Sequence, residues 1–489
     1  MTKRLIFAVV LSVIVMVISD MYLRRTYRKS VSQKTGEEQT KETAETMTGR
    51  VAAPASSLPV AEKRGKGIKI ESKLYEVTFS PDGAVAHWCL KSYKQKDASL
   101  VDLVSGKKPM GDYTYEVFSL KNEKGVLLRT IADGVQITKE FVFDEKKDYQ
   151  ISIRFQIKNN SSQEKNISVF KWGPGVGGNI NPRELVLTSW TQKGVSRWKV
   201  YKVKETIRQE KNVCWTGLGE KYFAVALMPE QTEQQRLLIL KEDEGVSIQS
   251  VIEKVPAGAT IEGRLFVYAG PKEEKVLKSA GNNLHTLINY GSIGKVIFFL
   301  LKLFYSITRN YGLAIILLSV LIKTVLFPLT RIGLKSMREM QKIQPQIAVL
   351  RQRFKHEPER LNQETAELYK RMKINPMGGC LPMIFQLPIF WALFVVLRDA
   401  IELRHSPFVF WIKDLSSKDP YYVLPILMGV TTFVQQKMTA TDKQQSTMTY
   451  FMTIFLTVIF LKFPAGLVLY WFITNVLSIG EQRLVAKMS

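Results

Sequence analysis

The stretch LAIILLSVLIKTVLFPL, Leu313–Leu329, decides how this chain is read. It is apolar except for Ser319, Lys323 and Thr324. Its composition predicts a helix that crosses a bilayer, and at ~1.5 Å per residue Lys323 lies ~15 Å in from Leu313. A charge at that depth is costly unless it meets water, a partner or a polar cavity. Ser319, four residues earlier, shares the helix face. The other expected spans offer Lys323 no acid, so the pattern predicts a hydrated cavity around a lone cation. The competing reading is a lysine that snorkels to the near interface, because Arg331 follows about two turns later.

Working outward, residues 293–489 carry further long apolar runs, whereas residues 24–290 are polar and strand-like. The near-zero mean hydropathy therefore averages two unlike halves. The net charge of +25 is shared between them. Basic residues beside spans point to a lipid bilayer surface rather than to sequence-specific nucleic acid. Cys89, Cys214 and Cys380 have no metal or redox spacing. Cys89 and Cys214 are read as separate thiols, with a pair between them as the alternative.

Lys3 and Arg4 precede the apolar run Leu5–Ser19, and no small-residue cleavage site follows, so residues 1–23 read as an uncleaved transmembrane anchor. Residues 24–67 lack hydrophobic periodicity and read as a flexible linker. Residues 68–272 read as an all-β domain. Within it Tyr149, Ile151, Ile153, Phe155 and Ile157 alternate with polar residues, and Pro81-Asp82-Gly83 marks a turn. The tract KWGPGVGG, Lys171–Gly178, reads as a loop. Residues 273–310 form a connector containing KVIFFLLKLFYSITR, Lys295–Arg309. There Lys295, Lys302 and Arg309 make a basic stripe on an apolar helix, the pattern of an interfacial amphipathic helix.

Five spans are expected in 311–489: Leu313–Leu329, Leu381–Leu397, Val423–Phe433 extending toward Met438, Met448–Leu461 and Leu467–Ile479. Several are short for a ~30 Å hydrocarbon core. The loop 331–378 is strongly basic, whereas Arg398, Arg404, Lys413 and Lys418 are balanced by Asp399, Glu402, Asp414 and Asp419. The first loop is therefore placed in the cytoplasm and the second outside. Counting back puts the β-domain outside and both termini in the cytoplasm. Within 331–378, Met340, Ile343, Ile347, Leu350 and Phe354 recur at helical spacing, and Leu361, Leu368 and Met372 continue the pattern. This predicts a hairpin of two antiparallel helices, with Pro345 kinking or starting the first. Its basic surface, with Arg351, Arg353, Lys355 and Arg360, is the candidate recruitment face.

No catalytic constellation, metal-ligand spacing or cofactor motif emerges, so the chain is not read as an enzyme. The informative set is polar residues on separate spans: Ser319 and Lys323, then Gln386, then Gln435 and Gln436, then Tyr470, Thr474 and Asn475. Singly these are interhelical hydrogen-bond formers. Together they can line a groove that lowers the cost of moving a polar chain segment across a bilayer.

Several stretches resemble the YidC/Oxa/Alb family of membrane protein insertases. They are Phe327-Pro328-Leu329-Thr330, Asn375–Pro382 (NPMGGCLP), Gln386-Leu387-Pro388-Ile389-Phe390, Pro407–Gly429 and Phe463–Trp471 (FPAGLVLYW). In the β-rich half, Trp215–Pro229 and Val267–Lys275 resemble the bacterial, Gram-negative branch. The resemblance implies an inner-membrane protein with an N-terminal anchor, a five-helix core with a cytoplasmic hairpin, and a periplasmic β-supersandwich similar to sugar-mutarotase folds. It implies a groove open to cytoplasm and lipid and closed on the exported side, with Lys323 where the family usually has Arg. The groove set is then Lys323, Ser319, Gln386, Gln435, Tyr470, Trp471 and Asn475. Implied partners are nascent inner-membrane proteins, the Sec translocon with its accessory subunits, and the ribosome. The final EQRLVAKMS is not the long basic tail some relatives use at the ribosome, so tethering there is not expected. The alternative is a transporter or sugar-responsive receptor using the β-domain, which rests on fold likeness alone.

Overall fold

A computed structural model of the chain describes residues 67–488 apart from 96, 105–112, 121–123, 146, 210–211, 231–233, 244, 373, 375–380 and 440–442. Side chains at 381–384, 439, 443–449 and 488 are also outside the description. The expected anchor at 1–23, the linker up to residue 66 and the Asn375–Cys380 part of the family motif lie outside the described residues.

Seventeen described strands make three antiparallel sheets. The first runs β1 (Ile68–Glu71), β2 (Tyr75–Phe79), β3 (Val85–Lys94), β4 (Leu100–Asp102). The second has nine strands in the order β11 (Gly194–Lys199), β10 (Val186–Thr191), β13 (Val213–Gly219), β14 (Phe223–Pro229), β17 (Thr260–Pro271), β8 (Gln150–Asn159), β7 (Val135–Val142), β6 (Gly125–Ala132), β5 (Glu116–Ser119). The third is β12 (Ile207–Arg208), β15 (Gln235–Glu242), β16 (Gly245–Val255), β9 (Lys165–Trp172).

Period-two patterning explains β8: Ile151, Ile153, Phe155 and Ile157 are buried, while Arg154, Gln156 and Lys158 face water. Aromatic contacts tie the sheets into one core. Phe79 meets Phe141 edge-on at 5.1 Å, and Trp88 meets Trp172 at 5.7 Å. Lys171 and Trp172 of the expected loop instead complete β9, because Trp172 is needed in that core. Cys89 and Cys214 are both thiols, on β3 and β13.

The helices follow: α1 (Glu274–Ser279), α2 (Gly291–Thr308), α3 (Tyr311–Lys342), α4 (Gln344–Arg353), α5 (Pro358–Arg371), α6 (Leu381–Asp399), α7 (Val423–Thr439), α8 (Lys443–Phe460) and α9 (Ala465–Met488). α2 is amphipathic: Gly294, Ile297, Phe298 and Leu301 are buried, while Val296, Phe299 and Ile307 are exposed. α3 does not stop at Leu329. It continues to Lys342 with Pro328 inside, ~48 Å at 1.5 Å per residue, so it extends beyond a ~30 Å core. Asn310 caps it, its Oδ1 accepting from the backbone N–H of Gly312 and Leu313 at 2.9 and 3.1 Å. Pro345 sits in the first turn of α4 and starts it. Ile343 and Ile347 are buried in the hairpin seam with Met340 and Leu368 against them, and Phe354 is buried separately just after α4, but Met372 is 46% exposed and Ile374 joins the seam instead. The α5 register carries Met372 past the seam once the helix ends at Arg371.

Candidate functional site

α9 organises the helical core. Its polar residues Tyr470, Asn475, Ser478 and Gln482 are buried. Together with Thr474 and Glu481, they fall on one helical stripe by their 3.6-residue spacing. The stripe faces different helices at different depths. Tyr470 Oη accepts from Gln386 Nε2 of α6 at 2.8 Å. One turn on, Asn475 Nδ2 donates to Thr432 Oγ1 of α7 at 2.7 Å. Further along, Lys323 Nζ of α3 donates to Ser478 Oγ at 2.6 Å and to Glu481 Oε2 at 3.2 Å.

Lys323 is therefore not a lone cation. It has its own carboxylate, and the two side chains are only 14% and 11% exposed. The apolar run that marks the last span stops at Ile479, two residues short of Glu481, whereas α9 runs to Met488 and brings that carboxylate to Lys323. The continuing stripe Tyr470, Thr474, Ser478, Glu481 was the signal that could have found it. The snorkelling alternative is also not what is seen, since the ammonium points at α9. Arg338, further along α3, donates to the carbonyls of Gln482 and Val485 at 3.0 and 2.8 Å. That places a cation on the C-terminal turns of α9, where unpaired carbonyls favour it. Gln482 Oε1 is buried without a hydrogen-bond partner among the described residues.

The remaining candidates divide. Gln386, Tyr470 and Asn475 join the polar network. Ser319 is fully buried, and its hydroxyl donates to the Ile315 carbonyl of its own helix at 2.7 Å, so it serves helix packing. Trp471 packs edge-on against Phe390 and Phe460, each at 4.9 Å, an apolar setting. Gln435 is half-buried on α7, next to Gln436, whose Oε1 accepts from Thr453 of α8 at 2.7 Å. At the hairpin, Arg353 and Arg360 both lie over the Phe354 ring, at 5.5 and 5.4 Å. Arg351 and Lys355 are exposed beside them.

The opposite end of the core is covered by the loop 400–422. Its Leu415 and Ser417 carbonyls accept the N–H groups of Gly466 and Ala465 at 2.9 and 2.7 Å, closing over the start of α9. Asp419, 1% exposed, accepts from Trp411 Nε1, Tyr421 N and Leu424 N at 3.0, 3.0 and 2.7 Å, which holds the loop and the start of α7 together. A polar network inside an apolar helical bundle, capped at the end next to a large β-domain, marks a membrane protein with polar side chains buried among its helices.

Comparison with known proteins specifies that class. A family described as "60Kd inner membrane protein" matches residues 303–489, and "YidC periplasmic domain" matches residues 110–306. "Membrane protein insertase YidC" of Geotalea daltonii is 35% identical over 100% of this chain and 99% of its own length. The protein of the same name from Syntrophus aciditrophicus is 35% identical over 91% of this chain and 90% of its own. A solved structure titled "Active YidC insertase crystal structure with the first transmembrane domain resolved" aligns with 86% of this chain and 93% of its own, at 19% identity and a TM-score of 0.41. The chain belongs to the YidC family of membrane protein insertases. It is a bacterial inner-membrane protein whose β-domain is periplasmic and whose substrates are nascent membrane proteins. The comparisons give the transporter or sugar-receptor alternative no support.

Proposed function

We propose that insertion proceeds by carboxylate exchange at Lys323. The observation that carries this reading is the Lys323–Glu481–Ser478 constellation, buried between α3 and α9. A cation already neutralised in place is affordable inside a bilayer. An acidic residue in the tail of an incoming protein displaces Glu481, binds Lys323, and is released as the apolar segment moves sideways into lipid. Burial of that segment drives the step without ATP or covalent chemistry. Gln386, Tyr470 and Asn475 offer hydrogen bonds to the passing backbone. The arrangement works with both termini and the hairpin in the cytoplasm, the orientation the loop charges favour. Arg351, Arg353, Lys355 and Arg360 then meet the incoming chain or the ribosome, and the Sec translocon with its accessory subunits shares larger substrates, for which the chain acts as a chaperone. The insertase unit is 311–489.

The test is insertion of a small, acidic-tailed, single-span protein into liposomes containing only this chain. Two opposite charges 4 Å apart attract by ~4 kcal/mol at an effective dielectric of 20. If about a third survives the exchange, Lys323→Ala slows capture roughly tenfold. Lys323→Arg keeps the rate, and Glu481→Gln raises it by removing the competitor. A Glu481→Gln protein that folds normally but inserts as poorly as Lys323→Ala would overturn the exchange.

A further inference from the structure

Where the β-domain meets the exported end of α6, the structure contains a cavity of ≈ 280 Å³. Four cations line it: Arg197 and Lys199 of β11, Lys272 just after β17, and Arg398 of α6. Its one acid, Asp399, is taken by Arg398 through two bonds of 2.6 and 2.7 Å. Arg197 and Lys272 donate to the carbonyls of Thr286 and Glu220, which are neutral groups, the second at 2.9 Å. Arg197, Lys199 and Lys272 thus face the cavity with no carboxylate within salt-bridge distance among the described residues. Burial pulls the Lys272 ammonium below its ordinary pKa. Asp399 and Glu220 oppose that shift, and Lys199 and Arg398 add to it. Cations gathered in this way repel one another, and an anion among them relieves that repulsion.

The position of the cavity identifies the anion. Trp198 lines it, an aromatic type enriched at membrane interfaces. Its floor is Tyr290, immediately before α2, and Val395, one turn from the exported end of α6. Directly beyond Tyr290, α2 exposes Ile293, Val296 and Phe299. A basic pocket therefore opens at headgroup level above an apolar wall, a combination that suits anionic lipid.

We propose that this cavity seats the phosphate of an anionic glycerophospholipid from the exported leaflet, with its acyl chains against α2. The lipid would clamp the β-domain to the core, since its ligands come from both. The site is independent of Lys323 and of the exchange argued above.

The experiment is native mass spectrometry of the full chain in detergent, titrated with phosphatidylglycerol, phosphatidylcholine or inorganic phosphate. Phosphatidylglycerol is retained in preference to phosphatidylcholine, and equimolar inorganic phosphate does not displace it. Each cation near a membrane surface is worth about fivefold, so Arg197→Gln with Lys199→Gln weakens retention roughly twenty-five-fold. Lys193→Gln with Lys202→Gln, of equal charge change on the same domain, leaves it intact. Should the first pair unfold early, Lys199→Gln alone, at an exposed position, carries the test at about fivefold. Equal retention of the two lipids, equal loss in both double variants, or displacement by free phosphate overturns the proposal.

Discussion

Lys323 shows how far a single residue can be read. Its depth required a polar setting, and the sequence placed it correctly in an apolar helix. Its partner was hidden because Glu481 lies 158 positions away, and only the packing of α3 on α9 joins them. The pair has a structural role and, under the exchange proposed above, a functional one, and a single substitution confounds the two. Removing either charge strands the other, which costs about 3–5 kcal/mol at a buried site and less at the 14% and 11% exposure seen here. The swapped pair, Lys323→Glu with Glu481→Lys, separates the roles. It keeps the attraction but moves the cation to α9. Thermal stability is expected to stay near wild type while insertion of acidic-tailed substrates falls. Wild-type insertion by the swap would mean that only the net charge of the groove matters.

At the scale of elements, period-two alternation anticipated β8, helical spacing anticipated the hairpin, and long apolar runs anticipated the helices α3, α6, α7, α8 and α9. These patterns could not reveal close approaches that depend on what arrives from elsewhere. Gly312 is one: a Cβ there would collide with the Phe408 ring, which the loop 400–422 presses onto the first turn of α3. Asn310 fixes the same contact, donating to the Phe408 carbonyl at 3.1 Å while capping α3. Gly312→Ala is therefore expected to destabilise the core by about 1–3 kcal/mol despite alanine's better helix propensity. Phe408→Ala should recover part of the loss in the double variant. Thermal unfolding of the four proteins in one detergent decides it, and additive losses would show that the two residues are not in contact. Asp419→Ala removes three hydrogen bonds from the same loop and should cost a further ~2–3 kcal/mol.

For the whole molecule, the decisive feature is a joint that neither half of the sequence announces. Ile401, from the loop after α6, is 5% exposed inside the β-domain core. Arg404 lies over Tyr222 and Phe223 and donates to the Lys94 carbonyl at 2.6 Å. Lys302 of α2 pairs with Glu274 of α1 at 3.1 Å. Between them sits Glu402, with Oε2 buried and unpaired among the described residues. Burial, with a smaller contribution from Glu273, pushes its carboxyl up from 4.5 to about 7, against its own backbone N–H and Lys302, which favour the ionised form. A carboxyl whose pKa rises on folding holds its proton more tightly in the folded state. Its contribution to stability is complete below pH 4.5 and is lost as pH rises through about 7. Other groups titrate over this range, so the diagnostic quantity is the difference between wild type and Glu402→Gln, which keeps the shape and removes the charge. At pH 8 the variant should be more stable by on the order of 3 kcal/mol, and at pH 4 the gap should nearly close. Thermal unfolding at the two pH values, with proteolysis of the 400–405 segment as a local readout, tests this. A gap of equal size at both would show that Glu402 meets solvent and that the joint carries no proton-linked term.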